Sequence, residues 1–514
     1  MKKIVVVGSG IGGMASGALF AKAGYAVTVL EANDSYIGGH GRCLRVNGIR
    51  FSMGPQYVWD FGEGGTGGRF LDFLGISREC PFVPMNPHGF ERVFVGDKKA
   101  AGNYFFLDFK VPMGLERFGD TLQDLFPEEA DALDCLFTDM ISIYDAYREL
   151  FRRNSLNESR LLHATKFLLT TRISSAMKVR IGRTIYMTVN NFFDRYGINP
   201  LARRVLYGHG GIFAENESEM SAIAYIVGTG NYHNGAWYPV KGFYHFFDAL
   251  AEVIARAGGT VQTGKKVVRL ETADGRVTGA VCEDGEYHGC DYLFSDISPR
   301  LTYALMDLPS ESFNYAPSHA IGACCMGIKG GLPAIREMKG SNYWWQDGKE
   351  VDYNCPDITK PPQMLFINSP TANGFGREIN SDDDGLVIFF PGNYFQEKQI
   401  YEQGADPVRR FKEQLISDIT GILERNVLPG ITPGVRFAEI ISSVDIEKQT
   451  LGESGNAYGR RLSVDEILKG GIKEKYCPPN LFNVSATRNT PGIAGGIFTA
   501  GLLFKELTGQ DILQ

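Results

Sequence analysis

Three glycines in the run Gly8-x-Gly10-x-x-Gly13, an acid at Glu31 and a second glycine pair at Gly38-Gly39 carry the chemistry most readily read from this chain. In a strand–turn–helix setting the first glycine permits the tight turn. The second lets the backbone approach a pyrophosphate, and the third lets the helix sit against the strand. The helix N-terminus then offers free N–H groups and about half a positive charge to the phosphates. An acid about 20 residues on, at the end of the next strand, accepts hydrogen bonds from both ribose hydroxyls and repels a 2′-phosphate, which disfavours NADP. Gly38-Gly39 asks for more. A second glycine turn so soon after Glu31 suits a longer cofactor, FAD, whose pyrophosphate and ribityl chain need a second backbone cradle. A basic side chain after the pair, His40 or Arg42, could reach a phosphate oxygen.

These residues need elements to hold them. Ile4 to Val7 form a continuous apolar run, as in a parallel strand covered on both faces. A helix is expected from about Ile11 to Ala23, ended by Gly24, and a second strand over Val27 to Leu30. From about residue 66 to 245 long helical patterns take over. A helix ending at Gly258-Gly259 and strands joined at "ADGR" and "EDGE" then return the chain to α/β. Residues 301–465 are mixed, with strands near "GACCMGIKG" and "GLVIFF" and an amphipathic helix near "PVRRFKEQLISDITGILERN". The end of the chain reads strand, loop, helix. The fold class is therefore α/β: a discontinuous Rossmann-type FAD-binding lobe, with a parallel sheet and added antiparallel strands, plus an α+β substrate lobe with a helical, membrane-facing part. Residues 1–65, 246–300 and 466–514 are assigned to the first lobe, and 66–245 and 301–465 to the second.

Composition narrows the function classes. At 514 residues the chain can bury a large core, and 44% hydrophobic with 22% charged residues is ordinary for a globular protein. A formal charge of −7 argues against bulk nucleic-acid binding. Nine cysteines without metal spacing read as reduced thiols, which points to a reducing, cytoplasmic compartment. No metal site is expected. The apolar stretch in "MKKIVVVG" is too short for a signal peptide, and no run approaches the roughly 18 apolar residues of a membrane span. Residues 151–186 stand apart: they carry eight Lys/Arg and one Glu in an acidic chain. Leu162, Leu169, Ile173 and Met177 fall on roughly one helical face, as in a helix lying on anionic lipid. A solvated basic face pairing with the acidic helix before it is the competing reading.

The runs "GSGIGGMASG…VTVLEA…GGH…NGIRFSMGP", "GAWYPVKGFYHFFDALAEVIARAGGTV" and "NLFNVSATRNTPGIAGG" resemble the phytoene desaturase and carotenoid isomerase family. That family includes retinol saturases and belongs to the amine-oxidase-like flavoproteins. The resemblance implies FAD held by Gly8, Ser9, Gly10, Ile11, Gly12, Gly13, Glu31 and Ala32, with Gly38, Gly39, His40 and Arg42 beside the phosphates. It further implies Val267 against the adenine. Gly54-Pro55, Thr487 and the Pro491 to Gly496 loop, with Gly492, Gly495, Gly496 and Ile497, would lie toward the flavin. The chain departs from the family pattern at His40, where arginine is usual, and at Phe51-Ser52-Met53-Gly54. It departs again at Lys241, where glycine is usual, and at Ser485-Ala486.

The chemistry so implied is hydride transfer between a substrate carbon and flavin N5. The expected substrate is a long apolar isoprenoid or polyene that is desaturated, saturated or isomerised, with oxygen or a quinone as electron acceptor. Two alternatives stay open: an amine-oxidase-like enzyme acting on a C–N bond, and a non-catalytic flavin-containing lipid-binding protein. No Ser/His/Asp constellation or zinc helix is present. His209, His233 and Lys241 are the candidate catalytic side chains beyond the flavin, and Tyr343-Trp344-Trp345 suits the wall of an apolar tunnel.

Overall fold

A computed structural model describes residues 1–98, 106–151, 169, 173–309, 313–378, 381–469, 477–488 and 491–513. The apolar run at the N-terminus forms the strand Lys3–Val7, whose last four residues are buried, at the centre of a five-stranded parallel sheet. Ala26–Leu30 flanks it on one side, with Thr260–Gln262 beyond; Tyr292–Ser295 and then Leu481–Asn483 lie on the other. Neighbouring strands of this sheet thus come from stretches up to 288 residues apart, as Ile4 is from Tyr292. The helix Ile11–Lys22 packs between the helices Phe243–Arg256 and Gly492–Thr508 on one face of the sheet. Small residues make this possible: a Cβ on Gly496 would come within 2.6 Å of Ile11 Cγ2, and one on Gly13 within 2.3 Å of Gly8 O.

The final stretch departs from expectation in one respect. Pro491 to Gly496 is no loop, because the helix already begins at Gly492 with Pro491 in extended backbone at its N-cap. Pro491's fixed φ and missing N–H suit that helix-entry position.

A second sheet of seven strands runs in the order Val435–Ile441, Ile321–Ile328, Asp384–Pro391, Met364–Asn368, Asn342–Gln346, Glu91–Val95, Leu107–Val111. All neighbours are antiparallel except Asn342–Gln346 with Glu91–Val95. The stretch read as helical therefore also holds strands, among them Glu91–Val95, Leu107–Val111 and Ala236–Pro239. They are only four or five residues long, too brief for their alternation to stand out against the helices Ala130–Phe151 and Ala222–His233. Those helices share a large apolar core with one face of the sheet, through Phe118, Met140, Phe193, Tyr225 and Trp344.

Among the described residues no helix is long and apolar enough to cross a membrane. Most of the basic stretch 151–186, Leu162 included, lies outside the described residues. Where it is described, Leu169 is exposed, whereas Ile173 is buried and Met177 packs on the core, so only the last two positions of the expected apolar face turn inward. Arg180 pairs with Asp139 of the preceding helix, the contact that the competing reading requires.

Candidate functional site

One cavity of about 990 Å³ joins the glycine turns to the aromatic side of the large sheet. At its first end the two glycine turns are built against each other. Gly38 N–H donates to Ser9 O and Ser9 Oγ, both at 3.1 Å, with Gly38 at φ +104° and Gly39 at φ +55°. Gly39 lies close enough to Gly10 that its absent Cβ would sit 3.4 Å from Gly10 Cα. Both backbones thus face the same space, as two halves of one anion cradle must.

Glu31 reaches this cradle from the end of its strand. Its Oε2 accepts from Ser9 N–H at 3.0 Å and from the Ser9 hydroxyl, and its Oε1 accepts from Asn33 N–H at 2.8 Å. Ser9, expected to contact the cofactor, is fully buried and fixes this carboxylate.

Gly8, Ser9, Gly10, Ile11, Glu31, Ala32, Gly38, Gly39, His40, Gly54, Pro55, Val267, Thr487 and Gly492 all line the cavity. Gly12, Gly13, Gly495, Gly496 and Ile497 do not: they are buried where the first and last helices and the sheet meet. Gly12 shows why, since a Cβ there would fall 2.0 Å from Val484 O. Arg42 also lies off the wall. Its buried guanidinium donates from Nε to Gln449 Oε1 at 3.0 Å and from Nη1 to Gly39 O at 3.3 Å, clamping the second glycine turn to the helix Ser443–Thr450. His40 does line the cavity, but burial, with the Arg42 charge second, pushes its imidazole down to about 4. It is neutral through the physiological range.

The three candidate catalytic side chains are absent from the wall. Lys241 is exposed, and His233 is stacked on Phe118 with ring centroids 5.1 Å apart. His209 is buried behind the wall, its Nε2 3.2 Å from Thr229 Oγ1. Burial lowers His233 to about 3 and His209 to about 4, so both are neutral core histidines.

Two carboxyl groups missed by sequence reasoning matter more. Glu91, on a strand of the large sheet, is almost fully buried and accepts a 2.5 Å hydrogen bond from the hydroxyl of Tyr57, which lines the cavity. Its Oε2 lies 3.5 Å from His209 Nδ1. Burial raises this carboxyl to about 7, against hydrogen bonds from Tyr57 and Trp344 that hold it back. Asp296, just past the strand Tyr292–Ser295, also lines the cavity, at its glycine end. Its Oδ2 is shielded from solvent without a hydrogen-bond partner. The alternation of "ERVFV" could have placed Glu91 on an inward face; nothing local marks Asp296.

The far half of the cavity is aromatic. Tyr57 packs on Tyr232 at 4.5 Å, and Trp344 packs edge-on to Phe366 at 4.6 Å between ring centroids. Strand alternation sends Trp344 to the cavity and Tyr343 and Trp345 to the opposite core. The helix Ala222–His233 lends Ile223, Val227 and Tyr232 to the wall and no charged residue.

Comparison with known proteins agrees with this architecture. Residues 6–74 match the NAD(P)-binding Rossmann-like domain family. The chain is 26% identical to a 1-hydroxycarotenoid 3,4-desaturase of Flavobacterium sp. (strain P99-3) over 89% of each chain. It is 21% identical to a 4,4'-diaponeurosporene oxygenase of Staphylococcus aureus (strain USA300), covering 99% of this chain and 97% of that one. Among solved structures, a putrescine oxidase variant superposes with a TM-score of 0.65 at 14% identity over 99% of both chains. An oxidoreductase from Methanosarcina mazei superposes with a TM-score of 0.57 at 16% identity, over 97% of this chain and 99% of that one. This chain is an FAD-dependent oxidoreductase with a Rossmann-like N-terminal segment, and it is similar over most of its length to carotenoid desaturases and oxygenases.

Proposed function

We infer that the protein oxidises, reduces or isomerises a carbon–carbon bond of a long apolar polyene. The observation that carries this reading is the single cavity, which runs from the glycine cradle into a chamber walled by aromatic and aliphatic side chains. The residues assigned to FAD are those of the glycine turns, Glu31, Gly54-Pro55, Val267, Thr487 and Gly492. Residues 1–65, 246–300 and 466–514 form the cofactor lobe in this reading; the remainder holds the substrate. FAD, when bound, supplies a hydride acceptor or donor. The chain's own contribution is to seat an apolar substrate, keep water out and manage the accompanying proton. Tyr57 is suited to the last task, because it lines the aromatic wall and its hydroxyl is hydrogen-bonded to a carboxyl that burial raises to about 7.

The carotenoid-acting relatives support a polyene substrate over an amine, and so does the wall of the Ala222–His233 helix, which offers no carboxylate to a cationic amine. Extraction of such a substrate from a bilayer, with oxygen or a quinone as electron acceptor, belongs to the same reading. The test is to incubate the FAD-loaded protein anaerobically with carotenoid precursors in liposomes and follow the flavin spectrum and product mass. A change of two hydrogens, or unchanged mass with altered retention, is expected. Flavin bleaching by simple amines with no effect of the polyenes would sink this reading in favour of C–N oxidation.

A further inference from the structure

Asp296 has no part in the function as described so far, yet it packs against the first glycine turn. In a dinucleotide turn the second glycine leaves its side-chain direction open so that a pyrophosphate can approach the backbone. Here a Cβ on Gly10 would fall 2.5 Å from Asp296 Oδ2, and one on Gly12 would fall 2.8 Å from Asp296 Oδ1. The carboxyl therefore stands beside the path the pyrophosphate takes to the first turn of the helix Ile11–Lys22. Its Oδ2 is shielded from solvent with no hydrogen-bond acceptor in reach, so a proton held there is free to be donated to a ligand. A carboxylate and a pyrophosphate cannot share such a site as bare anions without strong repulsion, whereas a carboxylic acid can donate a hydrogen bond to a phosphate oxygen.

We propose that Asp296 is a cofactor-binding residue that acts as a neutral acid, so that seating FAD takes up a proton on its carboxyl. This rests on the assignment of the glycine turns to the FAD phosphates. Burial raises the Asp296 carboxyl well above the ordinary aspartate range, with the Glu31 charge adding to the rise and the Gly13 amide opposing it. The bound pyrophosphate raises it further, and the difference between the two states is the proton taken up. The other ionisable groups lining this end are Glu31, Tyr36, His40, Lys265, Lys266, Lys448, Glu453 and Arg488, with Lys448 lying over the Tyr401 ring. His40 titrates near 4, Lys265 is held by Asp284 and Glu286, Lys266 by Glu283, and Glu453 pairs with Arg300.

The experiment is to dilute the FAD-loaded full-length protein at pH 6, 7, 8 and 9 and read released flavin by its fluorescence. Titration calorimetry of FAD binding in buffers of different ionisation enthalpy counts the protons directly. The wild type is expected to lose affinity with rising pH, by up to about tenfold per pH unit, and to take up as much as one proton. Asp296→Asn keeps a hydrogen-bond donor but cannot titrate; it is expected to hold FAD with no slope over this range and no proton uptake at Asp296. A wild type with pH-independent affinity and no proton uptake overturns the proposal. An Asp296→Asn variant that keeps the wild-type slope overturns it equally. Should that variant not fold, the wild-type calorimetry still decides. Glu31→Ala separates this idea from the reading it rests on: weaker FAD retention with an unchanged slope supports both. Wild-type retention by Glu31→Ala removes the glycine turn as the cofactor seat.

Discussion

His40 follows directly on the second glycine turn. As a charged phosphate contact it would make FAD retention in His40→Ala weaken more near pH 6 than near pH 8. Burial and Arg42 instead hold its imidazole down to about 4, so it is neutral at both values. The expected result is an equal change in FAD retention at pH 6 and pH 8, read by flavin release. Glu91 makes the opposite case. Its folded-state carboxyl is raised to about 7 from an ordinary value of 4.5, so the folded protein prefers it protonated. Its stability contribution is present below 4.5 and is lost as pH rises toward 7. Glu91→Gln should therefore raise the thermal midpoint at pH 8 and leave it unchanged near pH 4.5. Together with Tyr57→Phe it should slow substrate-dependent flavin turnover by about 100-fold or more, as loss of an acid–base group does. More stable yet slower marks a buried acid kept for function. A Glu91→Gln protein less stable at pH 8 with normal turnover would make the pair merely structural.

At the scale of elements, the cradle depends on how tightly the first and last helices cross. Gly496 faces Ile11, whose own residue lines the cavity at the turn. Gly496→Val must push the two helices apart, an overpacking that costs roughly 1–3 kcal/mol. Urea unfolding should show that loss, and FAD should be released more readily although no cavity residue has changed. An unchanged urea midpoint would mean the crossing tolerates a larger separation. Several elements were legible in advance: the strand–turn–helix at the N-terminus, the helix ending before Gly258, and the strands at "GACCMGIKG" and "GLVIFF". The short strands Glu91–Val95 and Leu107–Val111 were not, because five residues of alternation are faint beside long helical patterns. The helix start at Gly492 was missed because proline and glycine punctuate a loop as readily as they open a helix.

For the whole molecule, what matters is that one cavity runs from a parallel sheet to an antiparallel one. Its glycine end is polar backbone and its far end aromatic; in the proposed function the carbon to be altered meets the flavin where the two join. This arrangement is why the anaerobic assay with polyenes in liposomes, rather than any single substitution, decides the reaction class. The basic stretch 151–186 bears on how a lipid would reach the cavity. Arg180 paired with Asp139 and Ile173 turned inward commit part of that stretch to the protein itself.

The sequence by itself determined the nucleotide fingerprint, the second glycine turn and the acid between them. Each is a local pattern in which backbone conformation and spacing along the chain dictate the chemistry. Tertiary structure alone decided which side chains reach the cavity. His209, His233, Lys241 and Arg42 look reactive on paper and are either buried against the core or turned away, while Tyr57, Glu91 and Asp296 look ordinary. Glu91 meets Tyr57 from 34 positions away. Asp296 meets Gly10 from a strand that pairs with the N-terminal strand across almost 290 residues. Burial and proximity, which no local pattern encodes, are what give these carboxyl groups their altered proton affinity.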